Sequence, residues 1–112
     1  MPSLELHAQD RGEATIISLT GELDISSAVR VERELSRVEG REPALLVLDL
    51  SGLDFMDSTG LRVVVSADAR ARERGAQFVV VRGPDAVQRV FHLTRLEERL
   101  EMVDQVPPHI PN

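Results

Sequence analysis

Two hydroxyl groups and a carboxylate stand side by side in the middle of the chain, in the segment Asp57-Ser58-Thr59-Gly60-Leu61. An apolar run at residues 45–50 precedes this segment, and a helical pattern follows it and ends at Gly75. The first backbone N–H groups of a helix lack partners within the helix, and the helix dipole is positive there. We therefore expect a helix that begins near Ser58, where side chains cap the helix or the N–H groups hold a phosphate.

Three carboxylates, those of Asp49, Asp54 and Asp57, lie within or just after this apolar run. Acids at the carboxyl end of a parallel strand can hold Mg²⁺ for phosphoryl transfer. The chain has no lysine and no phosphate-binding glycine loop to support such a reaction. The simpler interpretation makes Asp54 and Asp57 loop and cap residues and Asp49 a structural hydrogen-bond acceptor. A small enzyme with these acids around a metal stays as an alternative.

Besides a helix cap, Ser58 has two further interpretations: the nucleophile of a hydrolase, or a residue that accepts a phosphate. It does not lie in a Gly-x-Ser-x-Gly motif, and His7, His92 and His109 are scattered along the chain, which argues against a hydrolase. As a phosphoacceptor, Ser58 would gain up to about two negative charges beside Asp57. A helix N-terminus tolerates such a phosphate, so the fold would survive while the surface offered to a partner changed. This is a binding switch without unfolding.

Composition limits the class of protein. The chain has 112 residues, which suits one domain, and it has no cysteine for a disulfide or a thiolate metal site. The net charge of −6 and the pI near 5.0 argue against direct nucleic-acid binding. The chain shows neither an apolar stretch of membrane-spanning length nor a signal peptide, so we expect a cytoplasmic protein with no membrane partner.

Strands and helices are predicted to alternate around the central segment. The predicted strands are residues 4–8, 14–20, 45–50, 78–81 and 102–106. Four helices are predicted. The first is capped by Ser26 or Ser27 and runs to about residue 38, and the second runs from about residue 58 to 74. The third begins at Pro84, and the fourth is a short capping-box helix from Thr94 through about Leu100. Residues 10–13 form a hairpin turn and residues 21–24 a loop. This order predicts an α/β fold whose mixed sheet has a parallel core, with its apolar central strands buried on both faces.

Three motifs give the chain a resemblance to the STAS domain family, and within it to the bacterial anti-sigma-factor antagonists. The central motif is residues 48–61, with the sequence LDLSGLDFMDSTGL. The first is residues 20–24, TGELD, and a weaker third is residues 89–94, RVFHLT. The resemblance implies a single STAS domain at residues 1–106 and a proline-rich tail at 107–112 that is expected to fray. It also implies a mixed sheet with an N-terminal β-hairpin, β-α crossovers and helices mainly on one face.

The resemblance also implies a function and its residues. In such antagonists the first serine of the central motif, here Ser58, is phosphorylated by a partner that is both an anti-sigma factor and an ATP-dependent serine kinase. The unphosphorylated form binds this partner and releases the sigma factor, and a serine phosphatase resets the cycle. ATP and Mg²⁺ belong to the kinase, so no cofactor is expected here. The implied partner-binding residues are Asp24, Asp57, Ser58, Thr59, Gly60, Leu61 and Arg62.

The chain departs from the family pattern at Arg62 and Arg95, where many relatives have glycine, and it ends in a tail where relatives often add a helix. The leading hypothesis is a regulatory binding protein rather than an enzyme. The alternative is a non-switching STAS scaffold or adaptor subunit of a larger regulatory complex, in which Ser58 is only part of a helix start.

Overall fold

A mixed sheet of five strands, in the order β1-β2-β3-β4-β5, forms the centre of the computed structural model, which describes residues 3–107. The strands are β1 Leu4–Arg11, β2 Ala14–Leu23, β3 Leu45–Met56, β4 Gln77–Val81 and β5 Glu101–Val103. The helices are α1 Ala28–Glu39, α2 Ser58–Glu73, α3 Asp85–Leu93 and a short 3₁₀-helix at Leu96–Glu98.

The connections follow from local sequence. β1 and β2 form an antiparallel hairpin whose turn is Gly12-Glu13, with Gly12 at φ 64°, a left-handed conformation that glycine adopts without strain. The pairs β2–β3, β3–β4 and β4–β5 are parallel, and the chain between each pair contains a helix. The predicted mixed sheet with an N-terminal hairpin and a parallel core is confirmed.

Apolar side chains are buried on both faces of this sheet. The main core joins one face to the buried residues of all three α-helices, among them Val31, Val64 and Phe91. The opposite face has a smaller cluster, to which no helix in the described part of the chain contributes. This second-face cluster consists of Ala14, Ile16, Leu45, Val47, Val79 and Val81. Both expectations therefore hold: the central strands are buried on two sides, and the helices lie on one.

β2 and β3 are longer than predicted, because they stay paired through the segments expected to be loops. β1 accompanies β2 only as far as Gly21, and β4 accompanies β3 only as far as Asp49. Beyond Gly21, residues 22–23 pair only with residues 55–56, as a two-strand extension. The pairing of β2 with β3 has two register shifts, one between Ser18 and Thr20 and one between Gly21 and Glu22. The polar and glycine residues that suggested loops are accommodated at these irregularities, since bulges re-aim a strand without ending it.

The chain after α3 also differs from prediction. The Thr94 hydroxyl donates to the backbone oxygens of Val90 and Phe91 at 2.8 and 3.1 Å, so Thr94 ends α3 instead of capping a new helix. Arg95 then adopts φ 61°, and only the short 3₁₀-helix follows. The predicted capping box at Thr94 is therefore wrong, since the threonine hydroxyl is already used by the preceding turn. The predicted short helix is present, but only as the 3₁₀-helix at Leu96–Glu98 and not through Leu100.

The last strand ends at Val103 and not at residue 106, and Val106 instead packs against the second-face cluster. Of the predicted tail, Pro107 lies within the described residues, whereas residues 108–112, and with them the expected fraying, lie outside them. None of the helices within residues 3–107 has the length and apolar character needed to cross a bilayer.

Candidate functional site

The start of α2 is capped by Asp57. This residue has extended backbone angles, and its carboxylate Oδ1 accepts hydrogen bonds from the backbone N–H groups of Thr59 at 2.9 Å and Gly60 at 3.2 Å. Ser58 is the first residue of α2, as predicted, and its side chain is exposed. The interpretation of Asp57 as a cap residue is therefore confirmed, and the interpretation of Ser58 as the cap is wrong, since Ser58 follows the cap as an exposed residue.

Gly60 allows the first turn of α2 to pack closely against the ends of β2 and β3. A Cβ atom at this position would lie 2.6 Å from Cγ of Met56 and 2.8 Å from Cγ of Leu23, so only glycine fits without movement. The backbone N–H of Asp57 donates to the Leu23 oxygen at 3.3 Å. The loop that carries Ser58 is thus held directly against the end of β2.

Asp24 follows the end of β2 and organises the turn into α1. Its Oδ1 accepts hydrogen bonds from the Ser26 hydroxyl at 2.6 Å and from the Ser26 backbone N–H at 2.9 Å. The hydroxyl bond is the main cause that holds the pKa of Asp24 below its usual value, so this carboxylate is ionised at neutral pH.

Ser27 occupies the N-cap position of α1 but makes no capping bond, so the prediction that Ser26 or Ser27 caps this helix is wrong. The Ser27 hydroxyl instead donates to the Glu22 backbone oxygen at 2.8 Å and accepts from the Asp24 N–H at 3.0 Å. Ser27 therefore ties the turn back to β2 and fixes where Asp24 lies.

The predicted partner-binding residues divide by burial. Ser58 and Arg62 are exposed and stand one helical turn apart, at positions i and i+4 of α2. Asp24, Asp57 and Thr59 are half-buried at the same end of the molecule, which is the carboxyl end of the parallel strands. Gly60 and Leu61 are buried and support this surface from below.

Sequence reasoning missed three exposed apolar side chains at this end: Ile25 at 78 % exposed, Val29 at 57 % and Phe55 at 46 %. A signal for Val29 was present, because it falls off the buried stripe that Ala28, Val31, Leu35 and Val38 make on α1. The sequence pattern does not indicate the exposure of Ile25 and Phe55, since that exposure depends on where β2 and β3 end.

Asp49, Asp57 and His92, which were weighed as catalytic residues, make local hydrogen bonds in the described part of the chain. Asp49 accepts from the Ser51 N–H and hydroxyl, Asp57 caps α2, and no group of three or more acidic or histidine side chains within residues 3–107 could hold a metal ion. His7 lies on β1, and His92 lies near the end of α3, where its Nδ1 is 3.1 Å from Oε1 of Glu97. His109 falls outside the described residues.

Comparison with known proteins supports one assignment. A family model described as the STAS domain matches residues 5–107. The anti-sigma-B factor antagonist of Listeria monocytogenes is 32 % identical over 100 residues, which cover 89 % of this chain and 87 % of that protein. The crystal structure of an anti-sigma factor antagonist from Mycobacterium paratuberculosis superposes with a TM-score of 0.86 at 27 % identity, over 93 % of this chain and 88 % of that one.

The fold is also that of SpoIIAA, in its unphosphorylated form and, for the Bacillus protein, in its phosphorylated form. Its unphosphorylated form gives a TM-score of 0.74 at 20 % identity over 90 % of this chain and 88 % of that one. Its phosphorylated form gives 0.69 at 19 % identity, over 90 % and 91 %. The match of the family model over nearly the whole length, together with the Listeria relative, shows that this chain belongs to the STAS domain family.

Proposed function

We propose that this chain is an anti-sigma-factor antagonist whose unmodified form binds an anti-sigma factor that is also a serine kinase, and so releases a sigma factor. Phosphorylation of Ser58 switches this binding off. The observation that carries the proposal is the position of Ser58: it is exposed at the first residue of α2, while Asp57 already caps the helix. The names of the Listeria and Mycobacterium relatives support the same role.

The local geometry favours a switch that leaves the fold intact. A phosphate on Ser58 lies at the positive end of a helix of 16 residues, where negative charge is stabilised. Arg62, four residues on, is on the same side of the helix and can pair with the phosphate. Neither the phosphate nor its pairing with Arg62 alters the cap by Asp57 or the contact of Gly60 with β2 and β3.

The partner-binding surface of this proposal is made of Asp24, Asp57, Ser58, Thr59 and Arg62, shaped from below by Gly60 and Leu61. A phosphate brings up to about two negative charges and a shell of bound water to the middle of this surface. Removing that water against a closely packed partner costs a few kcal/mol, and each ~1.4 kcal/mol weakens binding tenfold.

The remaining roles belong to other proteins. In this proposal, ATP and Mg²⁺ are bound by the kinase, a serine phosphatase returns Ser58 to its free form, and the chain catalyses no reaction itself. It acts in the cytoplasm, where sigma factors meet RNA polymerase, and contacts neither nucleic acid nor membrane directly. The acidic net charge of −6 is consistent with a protein partner.

The first prediction tests the switch with three variants. Anti-sigma factors from the source genome are titrated one at a time, by calorimetry, against the wild-type chain, Ser58→Ala, Ser58→Asp and Ser36→Asp. Because a carboxylate imitates part of the phosphate charge, we expect Ser58→Asp to bind at least about tenfold more weakly than wild type. Ser58→Ala keeps the wild-type dissociation constant.

Ser36 is the matched control, since it is exposed on α1 away from the start of α2. Ser36→Asp is expected to bind as wild type does, which shows that added charge alone is not the cause. If Ser58→Asp binds as tightly as wild type, the switch is refuted and the scaffold alternative takes its place. If none of the anti-sigma factors binds the wild-type chain, the antagonist role itself is refuted.

A further inference from the structure

The two edges of the sheet are unlike one another. β5 forms one edge and has only three residues. β1 forms the other edge, and its eight residues all pair with β2 without a register shift. Proteins usually blunt an exposed edge with a short strand, a proline or a bulge, because unpaired backbone groups bind other strands. β5 is blunted by its shortness, whereas β1 is long, regular and free of proline.

Backbone hydrogen-bonding groups point outward along β1. The Glu22 N–H donates to the Ser3 oxygen at 3.1 Å, so the backbone of Ser3 is directed toward β2. In an antiparallel pair the backbone groups of successive residues point alternately toward and away from the neighbouring strand. Those of Leu4, Leu6 and Ala8 therefore point away from β2.

Arg30 of α1 agrees with this direction. Its Nη1 donates to the Leu4 oxygen at 2.7 Å, which lies outside the β1–β2 ladder. In the part of the chain that the structure describes, no strand lies beyond β1 to pair with Leu6 and Ala8. The backbone of these residues therefore offers a template for one more strand.

The side chains of this edge alternate between the two faces of the sheet. Those on the face that the helices cover are apolar and pack against the main core: Leu4, Leu6 and Ala8. Those on the opposite face are polar and exposed: Ser3, Glu5, His7 and Gln9. A strand that pairs with β1 therefore meets an apolar row on one face and a polar row on the other.

The apolar row is self-complementary when two copies of β1 pair antiparallel with Leu6 on the two-fold axis. Leu6 then lies opposite Leu6 of the second copy, and Leu4 lies opposite Ala8 on each side of the axis. The backbones exchange hydrogen bonds at these three rungs. The Leu4 oxygen accepts from the Ala8 N–H with its second lone pair, besides its bond from Arg30.

The polar row is self-complementary in the same register. The Glu5 carboxylate lies opposite the His7 imidazole of the second copy, and the Ser3 hydroxyl lies opposite the Gln9 amide. Symmetry makes each of these pairs twice. Cross-strand pairs of this kind stabilise a sheet, whereas like charges directly opposite each other destabilise it.

The neighbouring registers match less well. With His7 on the axis, each His7 faces another His7 and Leu4 faces the Asp10 carboxylate. With Ala8 on the axis, Leu6 faces Asp10. Both registers set an ionised side chain against leucine, which the register with Leu6 on the axis avoids.

We infer that this chain forms a homodimer in which the β1 strands of two copies pair antiparallel with Leu6 on the two-fold axis. The pairing joins two sheets of five strands into one of ten, whose free edges are the two short β5 strands, so assembly stops at two copies. Because the paired strands run in opposite directions, the two Ser58 loops lie at opposite ends of the dimer. The dimer therefore leaves both loops open, and its formation is independent of the proposed function.

The second prediction tests the polar row by analytical ultracentrifugation. We expect the wild-type chain to form a dimer whose fraction rises with protein concentration. His7→Glu sets a carboxylate opposite Glu5 at two rungs and is expected to weaken dimerisation at least about tenfold. The double variant Glu5→His with His7→Glu restores dimerisation, because each carboxylate again lies opposite an imidazole.

Gln105→Glu is the matched control. Gln105 is exposed beyond β5, so the same added charge lies away from β1 and leaves the dissociation constant of the dimer unchanged. Urea unfolding of each variant checks that the fold of the single chain is intact.

A second measurement tests the register by disulfide cross-linking, which is specific because the chain has no cysteine. Leu6→Cys sets two thiols opposite each other with Cα atoms about 5.5 Å apart, within the range that a disulfide spans. Diamide is expected to oxidise this variant to a covalent dimer. Ala8→Cys is the control, since its two copies lie four residues apart along the strands, about 13 Å, and stay unlinked.

Three results would overturn the inference. The first is a wild-type chain that stays monomeric at concentrations up to about 1 mM, where weak interfaces still form. The second is a dimer that His7→Glu leaves as stable as wild type, which places the interface elsewhere. The third is cross-linking of Ala8→Cys in place of Leu6→Cys, which gives a different register. The titrations of anti-sigma factors against Ser58 variants are separate, so the proposed function stands or falls without the dimer.

Discussion

Arg95 stands in a conformation that its side chain disfavours. Its φ of 61° lies in the left-handed region, directly after Thr94 ends α3. A residue with a Cβ atom costs about 1–2 kcal/mol there, because Cβ crowds the following carbonyl oxygen. The position terminates the helix, and glycine is the residue that usually serves this purpose. A glycine at this position would avoid a strain that this chain retains.

The third prediction follows from this strain. Arg95→Gly relieves the left-handed conformation but adds freedom to the unfolded chain, so the net gain in unfolding free energy is about 0.5–1 kcal/mol. Arg99→Gly is the control, since Arg99 has φ −104° and loses stability on the same substitution. Urea unfolding measures both. An Arg95→Gly variant less stable than wild type would show that contacts of the arginine side chain outweigh the strain.

At the scale of single residues, the sequence predicted the place of Ser58 in the fold better than the contacts around it. Ser58 was placed correctly at the start of a helix, because a polar segment between an apolar run and a helical pattern is a strong signal. Asp57 was expected to be a cap residue and is the cap of α2. The sequence could not exclude Ser58 from the same role, since both types cap equally well. The exposure of Ile25 and Phe55 could not be predicted either, because it is set by strand pairing between distant segments.

The close packing of α2 on the sheet depends on the absence of a side chain at Gly60. Without a Cβ at Gly60, the first turn of α2 rests on Met56 and Leu23, which are both buried at the end of the two-strand extension. This contact sets the distance between the Ser58 loop and the Asp24 turn. The packing of α2 as a whole, and not only its first residue Ser58, therefore positions the Ser58 loop relative to the Asp24 turn.

The fourth prediction is that Gly60→Ala lowers the unfolding free energy by about 1–3 kcal/mol, because the new methyl group overlaps Met56 and Leu23 and must push α2 outward. Gly40→Ala is the control. Gly40 has φ −64°, and a Cβ there meets its nearest atoms at 3.5 Å, so the change is neutral or stabilising by up to about 1 kcal/mol. Thermal and urea unfolding compare the two. Equal stabilities for both variants would mean that α2 does not need glycine at position 60 to pack against Met56 and Leu23.

Among the elements, helices were predicted more accurately than strand ends. α1, α2 and α3 have strong apolar periodicity, and each was found close to its predicted place. The extension of β2 and β3 was missed because Gly21, Ser51 and Gly52 are turn formers in isolation. Pairing with a neighbouring strand overrides that preference, and pairing is not visible in a short stretch of sequence.

The molecule as a whole has two apolar layers of unequal size. The helices close the larger layer, whereas Val103 and Val106 pack on the second-face cluster. An apolar sheet face left open to water is prone to association. The segment after β5 therefore contributes to the integrity of the domain, although its sequence suggested an extra strand and a tail.

The fifth prediction concerns this cover. Val106→Ser removes apolar area from the second-face cluster and is expected to reduce the unfolding free energy by about 1 kcal/mol, since Val106 is half-buried. The neighbouring Gln105 is exposed, and Gln105→Ser is expected to have no measurable effect. Urea unfolding distinguishes the two. If the two variants were equally stable, Val106 would not support this face.

The parallel pairing of β2 with β3 also governs when the site comes into existence. Ala14 pairs with Leu45, and all of α1 lies between them, so the chain must close a long loop before this register forms. The β1–β2 hairpin needs only local contacts and can form early, including during synthesis on the ribosome. Leu23, Met56 and Gly60 meet only after the loop has closed. A partner that recognises the surface around Ser58 thus distinguishes finished molecules from nascent ones, because a partly folded chain does not yet have that surface.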